Sequence, residues 1–205
     1  MYALKVRWPP NFAVSGQTCV SSNRFFVDVS VLADFVAKLK EQFKLLKLGG
    51  GMEKDVNVGP LINRKAVEKV KSLVDEALAQ TAEIICVGNA LAETNFFEPT
   101  ILTNVNGKMA IAHAEVFDFE TEEEVVTKAN HSRHGLAGYI FSKDCAQIHR
   151  VSRALQVGMV GVNEGMMSCA EAAFGGVKES GLGREGGQQG LDEFTQWKYV
   201  CWNVE

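Results

Sequence analysis

A chain of 205 residues, 46% apolar and 22% charged, is long enough to build one sizeable domain around its own core. A net charge of −4 with no basic block argues against a nucleic-acid partner, and no apolar run approaches the roughly 20 residues of a membrane-crossing helix. The five cysteines (Cys19, Cys86, Cys145, Cys169 and Cys201) are scattered, odd in number and lack a C-x-x-C pair. That pattern suits a reducing intracellular compartment, cytoplasm or mitochondrial matrix, and speaks against a disulfide framework or a zinc site. No metal is expected. His131 and His134 lie three apart without a second ligand cluster and read as surface residues at a helix end.

Residues 1–14 form a divergent N-terminal segment, in which Trp8-Pro9-Pro10 breaks any regular element. The segment has neither the apolar core of a signal peptide nor the Arg/Ser richness of a transit peptide. Ser15-Gly16-Gln17-Thr18-Cys19-Val20-Ser21-Ser22-Asn23 follows, small and polar around one thiol. A thiol on a tight turn can stand clear of the chain. If the turn opens a helix, the helix end favours the reactive thiolate. Spacing alone equally fits the commoner use of cysteine as a small buried hydrophobe.

Asn23 to Val29 predicts a buried strand, and Ser30 is a plausible N-cap. Leu32, Phe35, Val36, Leu39, Phe43 and Leu46 then recur at helical spacing up to Gly49-Gly50-Gly51. Asn63 caps a second helix with Val67, Val70, Leu73, Val74 and Leu78 on one face. Glu83 to Val87 predicts a strand and Phe96 to Leu102 an extended segment. Thr121-Glu122-Glu123-Glu124 opens a helix to about Asn130, as a capping box does. Leu136 to Phe141 is a strand, Asp144 caps a helix closed by Gly158, and Met159 to Val162 is the next strand. This alternation predicts an α/β fold with a mostly parallel sheet flanked by helices. Gln196 to Trp202 is extended and aromatic.

Gly181-Leu182-Gly183-Arg184-Glu185-Gly186 fits G-x-G-x-x-G, but no apolar strand precedes it. It reads instead as a glycine-rich wall permitting close backbone approach.

Three stretches in order carry a resemblance: Gly16-Gln17-Thr18-Cys19 with Asn23-Arg24, then Glu115-Val116-Phe117, then Phe174-Gly175-Gly176-Val177-Lys178-Glu179-Ser180-Gly181-Leu182-Gly183-Arg184-Glu185. Together they resemble the aldehyde dehydrogenase superfamily over about residues 15–203. The segments Gly59-Pro60-Leu61-Ile62-Asn63, Phe97-Glu98-Pro99-Thr100, Gly158 to Gly165 and Lys198-Tyr199-Val200-Cys201 are similar to its succinate-semialdehyde branch. The resemblance implies a partial catalytic domain over 15–194 and a C-terminal oligomerisation strand over 195–205.

It also implies NAD(P)-dependent oxidation of an aldehyde, succinate semialdehyde in this branch, through a cysteine thiohemiacetal and then a thioester. Such chemistry needs a nucleophile, oxyanion donors, a bound cofactor and a general base. The resemblance casts Cys19 as nucleophile, Glu115 and Phe117 as contacts to the nicotinamide ribose and ring, Phe174 as a channel aromatic and Ser168 as a binder of the substrate's distal carboxylate. It makes NAD or NADP the cofactor, a small aldehyde the substrate, and a homo-oligomer formed through the last strand the assembly.

Several departures stand beside it. The family's base, asparagine oxyanion donor and dinucleotide-binding domain belong to a front half that has no counterpart in this sequence. Ala13 stands where an arginine usually holds the substrate carboxylate, Ser21 replaces a second cysteine, and Ala173 replaces a proline. The passage from Phe117 straight to Asp118-Phe119-Glu120-Thr121 omits most of a family strand. These departures leave two readings: an incomplete enzyme, or a non-catalytic homologue acting as an interaction module. A cysteine-protease reading finds no partner motif around His113, His131, His134 or His149.

Overall fold

The computed structural model describes residues 16–22, 24–86, 88–113, 117–119 and 121–204. The divergent start expected over 1–14 lies outside them. In chain order the elements are β1 (Phe26–Asp28), α1 (Leu32–Phe43), α2 (Arg64–Leu78), β2 (Glu83–Cys86), β3 (Ile101–Thr103), β4 (Phe117–Phe119) and α3 (Glu122–Asn130). Then come β5 (His134–Gly135), β6 (Ala137–Ile140), α4 (Cys145–Ala154), β7 (Met159–Val162), β8 (Val177–Lys178) and α5 (Gln189–Asp192).

The packing centre is the α2 stripe. Val74 and Ala77 meet Ala82, Leu102, Val105, Met109 and Ile111, with Val70, Leu73 and Phe97 packed against them. Leu102 is wholly buried and Met109 nearly so. Helical spacing predicts this face correctly except at Leu78, which is 38% exposed at the end of the helix. Asn63 caps the helix as its position suggests, its side chain accepting from the Ala66 N–H at 2.9 Å.

α1 differs from its expectation at both ends. Its N-cap is Val31, without a side-chain bond, and Ser30 instead donates its N–H to Asp28 at 2.9 Å in a preceding 3-10 turn. The helix stops at Phe43, before the glycines. Only Leu39 of its stripe is buried, while Phe25 and Phe35 face each other at 6.1 Å.

The expectation of a mostly parallel sheet is overturned. Among the described residues the strands form four two-stranded ladders: β1–β4 and β6–β7 are parallel, β2–β3 and β5–β8 antiparallel. Of the isolated bridges, Ala90–Phe97 and Phe174–Glu185 are antiparallel and Leu48–Val58 is parallel. The physical reason is connectivity. Alternation predicts parallel pairing only where a helix carries the chain back between neighbouring strands. β6–α4–β7 is such a unit, and it is parallel. β2 and β3 have no helix between them, so the chain turns back and pairs antiparallel.

The shortened passage after Phe117 still forms a strand. β4 pairs parallel with β1, with Phe26 opposite Phe117 and Asp28 opposite Phe119, and α3 begins almost at once. Thr121 caps α3 by accepting from the Glu124 N–H at 3.2 Å. Asp144 caps α4 through the Ala146 and Gln147 N–H groups. α4 ends at Ala154, ahead of the glycine expected to close it. Residues 195–204 form no strand within this chain, and Trp197, Tyr199 and Trp202 are almost fully exposed.

Candidate functional site

Small polar residues around Gly16 favour a turn over a regular element, and the chain turns there. The Ser21 N–H donates to the Thr18 carbonyl at 2.9 Å, closing a tight turn with Cys19 inside it. Cys19 is exposed, so its thiol is not core packing. The turn opens no helix: β1 follows it, and α1 begins only at Leu32. The helix-end effect considered from the sequence therefore has no helix to supply it.

Three contacts pin this segment to the fold. The Gln17 side-chain carbonyl accepts from the Ile62 N–H at 3.3 Å. The Tyr139 hydroxyl donates to the Val20 carbonyl at 2.9 Å. The Arg24 guanidinium donates to the Lys128 and Ala129 carbonyls, at 3.4 and 3.0 Å, in the last turn of α3. A cation at a helix C-terminus meets unpaired carbonyls and the negative dipole end. Burial pulls the Arg24 pKa below its ordinary value, and the ring of Phe26 lies 5.6 Å from the guanidinium carbon. Burial raises the Tyr139 pKa, and the nearby Cys19 thiolate raises it further. Burial pushes the Cys86 thiol up, against a weaker opposing pull from Lys40 and Lys44.

The other expected site residues are placed unevenly. Glu115 lies outside the described residues. Phe117 is described by its backbone, which sits one strand away from the strand that the Cys19 segment enters. Ser168 is exposed on the loop that leaves β7. That loop returns to the β6–β7 pair: a Cβ built on Gly161 would stand 2.8 Å from Tyr139 Cδ1 and 3.1 Å from Met167 Cε. The neighbour of Ser168 thus packs on the glycine over which the Tyr139 ring lies. Tyr139 also holds the Cys19 turn, so turn and loop are gathered toward the C-terminal end of one parallel strand pair. That end is where open α/β sheets place their ligands.

Phe174 is half-buried at the other end of this pair. Its N–H and carbonyl bond with Glu185 at 2.6 and 2.7 Å. The next residue, Gly175, packs its carbonyl so close to Gly158 that a Cβ there would lie 2.0 Å away.

A nicotinamide dinucleotide needs a pocket for its ring and a cradle for its phosphates. The backbone of Phe117 lies beside β1, opposite Phe26. The described residues supply no phosphate cradle, which would join a strand, a glycine turn and the start of a helix. In the G-x-G-x-x-G stretch Gly181 and Gly183 have positive φ, Leu182 is fully exposed, only the two-residue β8 precedes it, and α5 begins at Gln189. The stretch does serve close approach, since Arg184 donates to the Gly176 and Gly183 carbonyls at 2.9 and 2.7 Å. Among the described residues no three His, Cys, Asp or Glu side chains gather as metal ligands.

Two residues of the site carry no role in the sequence analysis. Asn163 has a positive φ of 53°, accepts from the Ser142 N–H and donates to its carbonyl, both at 2.9 Å, prolonging the β6–β7 ladder with a side chain. An asparagine just after a strand is a usable signal for such a turn. Tyr139 has a weaker one: a half-buried tyrosine in a strand needs a partner for its hydroxyl.

Residues 3–200 match the model of the aldehyde dehydrogenase family. The chain is 49% identical over 200 residues to the mitochondrial succinate-semialdehyde dehydrogenase of Mus musculus, covering 93% of this chain and 38% of that protein. It superposes on the crystal structure of succinate-semialdehyde dehydrogenase from Burkholderia pseudomallei with a TM-score of 0.89 and 43% identity, over 99% of this chain and 43% of that one. An NAD+ complex of aldehyde dehydrogenase from Bacillus cereus matches with a TM-score of 0.87 at 33% identity, over 93% and 40%. The chain therefore spans about two fifths of the length of these relatives.

Proposed function

Starting from the fact that this chain belongs to the aldehyde dehydrogenase family, we propose that it carries the nucleophile-bearing part of an NAD(P)-dependent succinate-semialdehyde dehydrogenase, with Cys19 as the nucleophile. The observation that supports this best is an exposed thiol inside a turn whose backbone is held by a tyrosine from another element. The Cys19 thiolate adds to the aldehyde carbon. A C–S bond forms, the carbonyl π pair moves onto oxygen, and the Cys19 backbone N–H donates to that oxyanion. When bound, NAD(P) supplies the hydride acceptor, with Glu115 and Phe117 as its contacts in this chain. Ser168 contributes a hydroxyl to the distal carboxylate of the substrate, and Phe174 an apolar wall.

The reading places catalysis in an assembly larger than residues 15–194, since the covered two fifths of the relatives offer no phosphate cradle among the described residues. Residues 195–205 form the oligomerisation strand, pairing with a second copy. An intracellular, reducing compartment keeps Cys19 a thiol; among the described residues no helix is long and apolar enough to cross a membrane.

The test measures NADH or NADPH formation from succinate semialdehyde, with the chain alone and with the chain joined to the part of the mouse relative that it does not cover. Turnover that appears on joining and is lost in Cys19→Ser supports the reading, and turnover unaffected by Cys19→Ser overturns it. A second reading, a non-catalytic homologue acting as an interaction module, is favoured by the exposed aromatic tail. It stands if the joined protein folds and turns over no aldehyde.

A further inference from the structure

We infer that Tyr139 is a positioning residue for the nucleophile, fixing the turn that presents Cys19 by gripping the peptide unit one residue beyond it. The inference rests on the reading of Cys19 as nucleophile. Val20 C=O and Ser21 N–H belong to one planar peptide group, whose atoms cannot turn independently. The carbonyl end accepts from the Tyr139 hydroxyl at 2.9 Å, across 119 positions of sequence. The N–H end donates to the Thr18 carbonyl at 2.9 Å. Held at both ends, this plane fixes the chain direction just after Cys19, and with it the direction of the Cα–Cβ bond that carries the sulfur.

A positioning group must itself be held, and Tyr139 is. It is the third residue of the four-residue β6, paired with Gly161 of β7. Its ring lies over Gly161, where an added Cβ would stand 2.8 Å from the ring, 2.6 Å from the Glu164 carbonyl oxygen and 3.1 Å from Met167 Cε. Glycine at 161 thus admits the ring where any side chain would displace it. Beyond Val162 the strand pair is fastened by the double bond between Asn163 and Ser142. The phenol is therefore a rigid strut from the β6–β7 pair to the turn. The influence of the Cys19 thiolate on Tyr139 ionisation agrees with this proximity.

Tyr139→Phe removes the hydroxyl and keeps the ring. Two measurements on the folded chain decide the matter: hydrogen exchange at the Ser21 amide, and the pH profile of Cys19 alkylation beside that of the urea-unfolded chain, both read by mass spectrometry. One lost hydrogen bond corresponds to about fivefold faster Ser21 exchange. The Cys19 profile should move toward the unfolded one, while Cys86 alkylation and the melting temperature stay in place. Unchanged Ser21 exchange overturns the inference. So does faster exchange with an unmoved Cys19 profile, which would make Tyr139 a purely structural contact. A wild-type Cys19 profile identical to that of the unfolded chain overturns the nucleophile reading itself, and Ser21 exchange then still reports whether Tyr139 holds the turn.

Discussion

The α2 region and the β6–β7 region are held together by different forces. Around α2, apolar side chains converge on Leu102 and Met109, and stability comes from area removed from water. Around β6–β7 the decisive contacts are backbone against backbone and side chain against backbone: Gly158 on Gly175, Tyr139 over Gly161, and Asn163 bonded to Ser142. The first kind of region suffers from losing atoms, the second from gaining them. The exposed thiol hangs from the second kind. A reactive group must be approachable, so directional bonds hold it where burial cannot.

The largest expected effect is Leu102→Ala, which empties the centre of the α2 core and should cost about 3 kcal/mol in urea unfolding. A loss below about 1 kcal/mol would mean the core collapses around the gap and the contrast is overdrawn. Next is Gly158→Ala. The new methyl has no room beside the Gly175 carbonyl, and a destabilisation of about 2–3 kcal/mol is expected. A neutral substitution would show that the Gly175–Gly176 backbone yields freely. Smaller again is Asn163→Ala, which removes both bonds to Ser142 and should cost about 1–2 kcal/mol. Asn163→Gly relieves the positive φ while losing the same bonds. If alanine and glycine cost the same, the bonds alone explain the residue.

The smallest effect concerns the surface. Arg150 bonds to Glu122 at 2.8 Å, and this bond holds the Glu122 carboxyl below its ordinary pKa. A lowered folded pKa contributes stability that is present above the unfolded value and is lost as pH falls through the folded one. The pair is exposed and screened, so Arg150→Gln should be only slightly less stable than wild type at neutral pH. That difference should vanish in acid and shrink in salt. A difference persisting in acid would assign Arg150 a packing role linking α3 to α4.

Local signals in the chain were legible where one residue acts on its near neighbours. Asn63, Thr121 and Asp144 were recognisable as caps because a cap bond spans two or three residues. Ser30 misled because Asp28, two residues earlier, takes its N–H for a 3-10 turn first. Before the glycine-rich stretch at 181–186 the sequence reading expected no strand, and the structure has the two-residue β8 there, because its pairing with β5 more than 40 residues earlier is not written in local composition.

The strand pairing could not be seen the same way. β1 finds β4 about 90 residues later, and β5 finds β8 more than 40 residues on. Composition and spacing carry no register for such distant partners, so the expected parallel sheet became four small ladders of both kinds. The candidate site divides along the same line. Residue types in a motif singled out Cys19, and nothing near it in sequence singled out Tyr139, 119 positions away.

By itself, then, the amino-acid sequence determined the N-caps of α2, α3 and α4, the apolar face of α2 and the family to which the chain belongs, because each of these is written in short-range spacing or in contiguous motifs. Only the tertiary structure decided which strands pair, how the glycines admit neighbouring backbone and which side chain holds the Cys19 turn. Those depend on groups brought together from far apart in the chain, where close packing and the geometry of hydrogen bonds choose the partner.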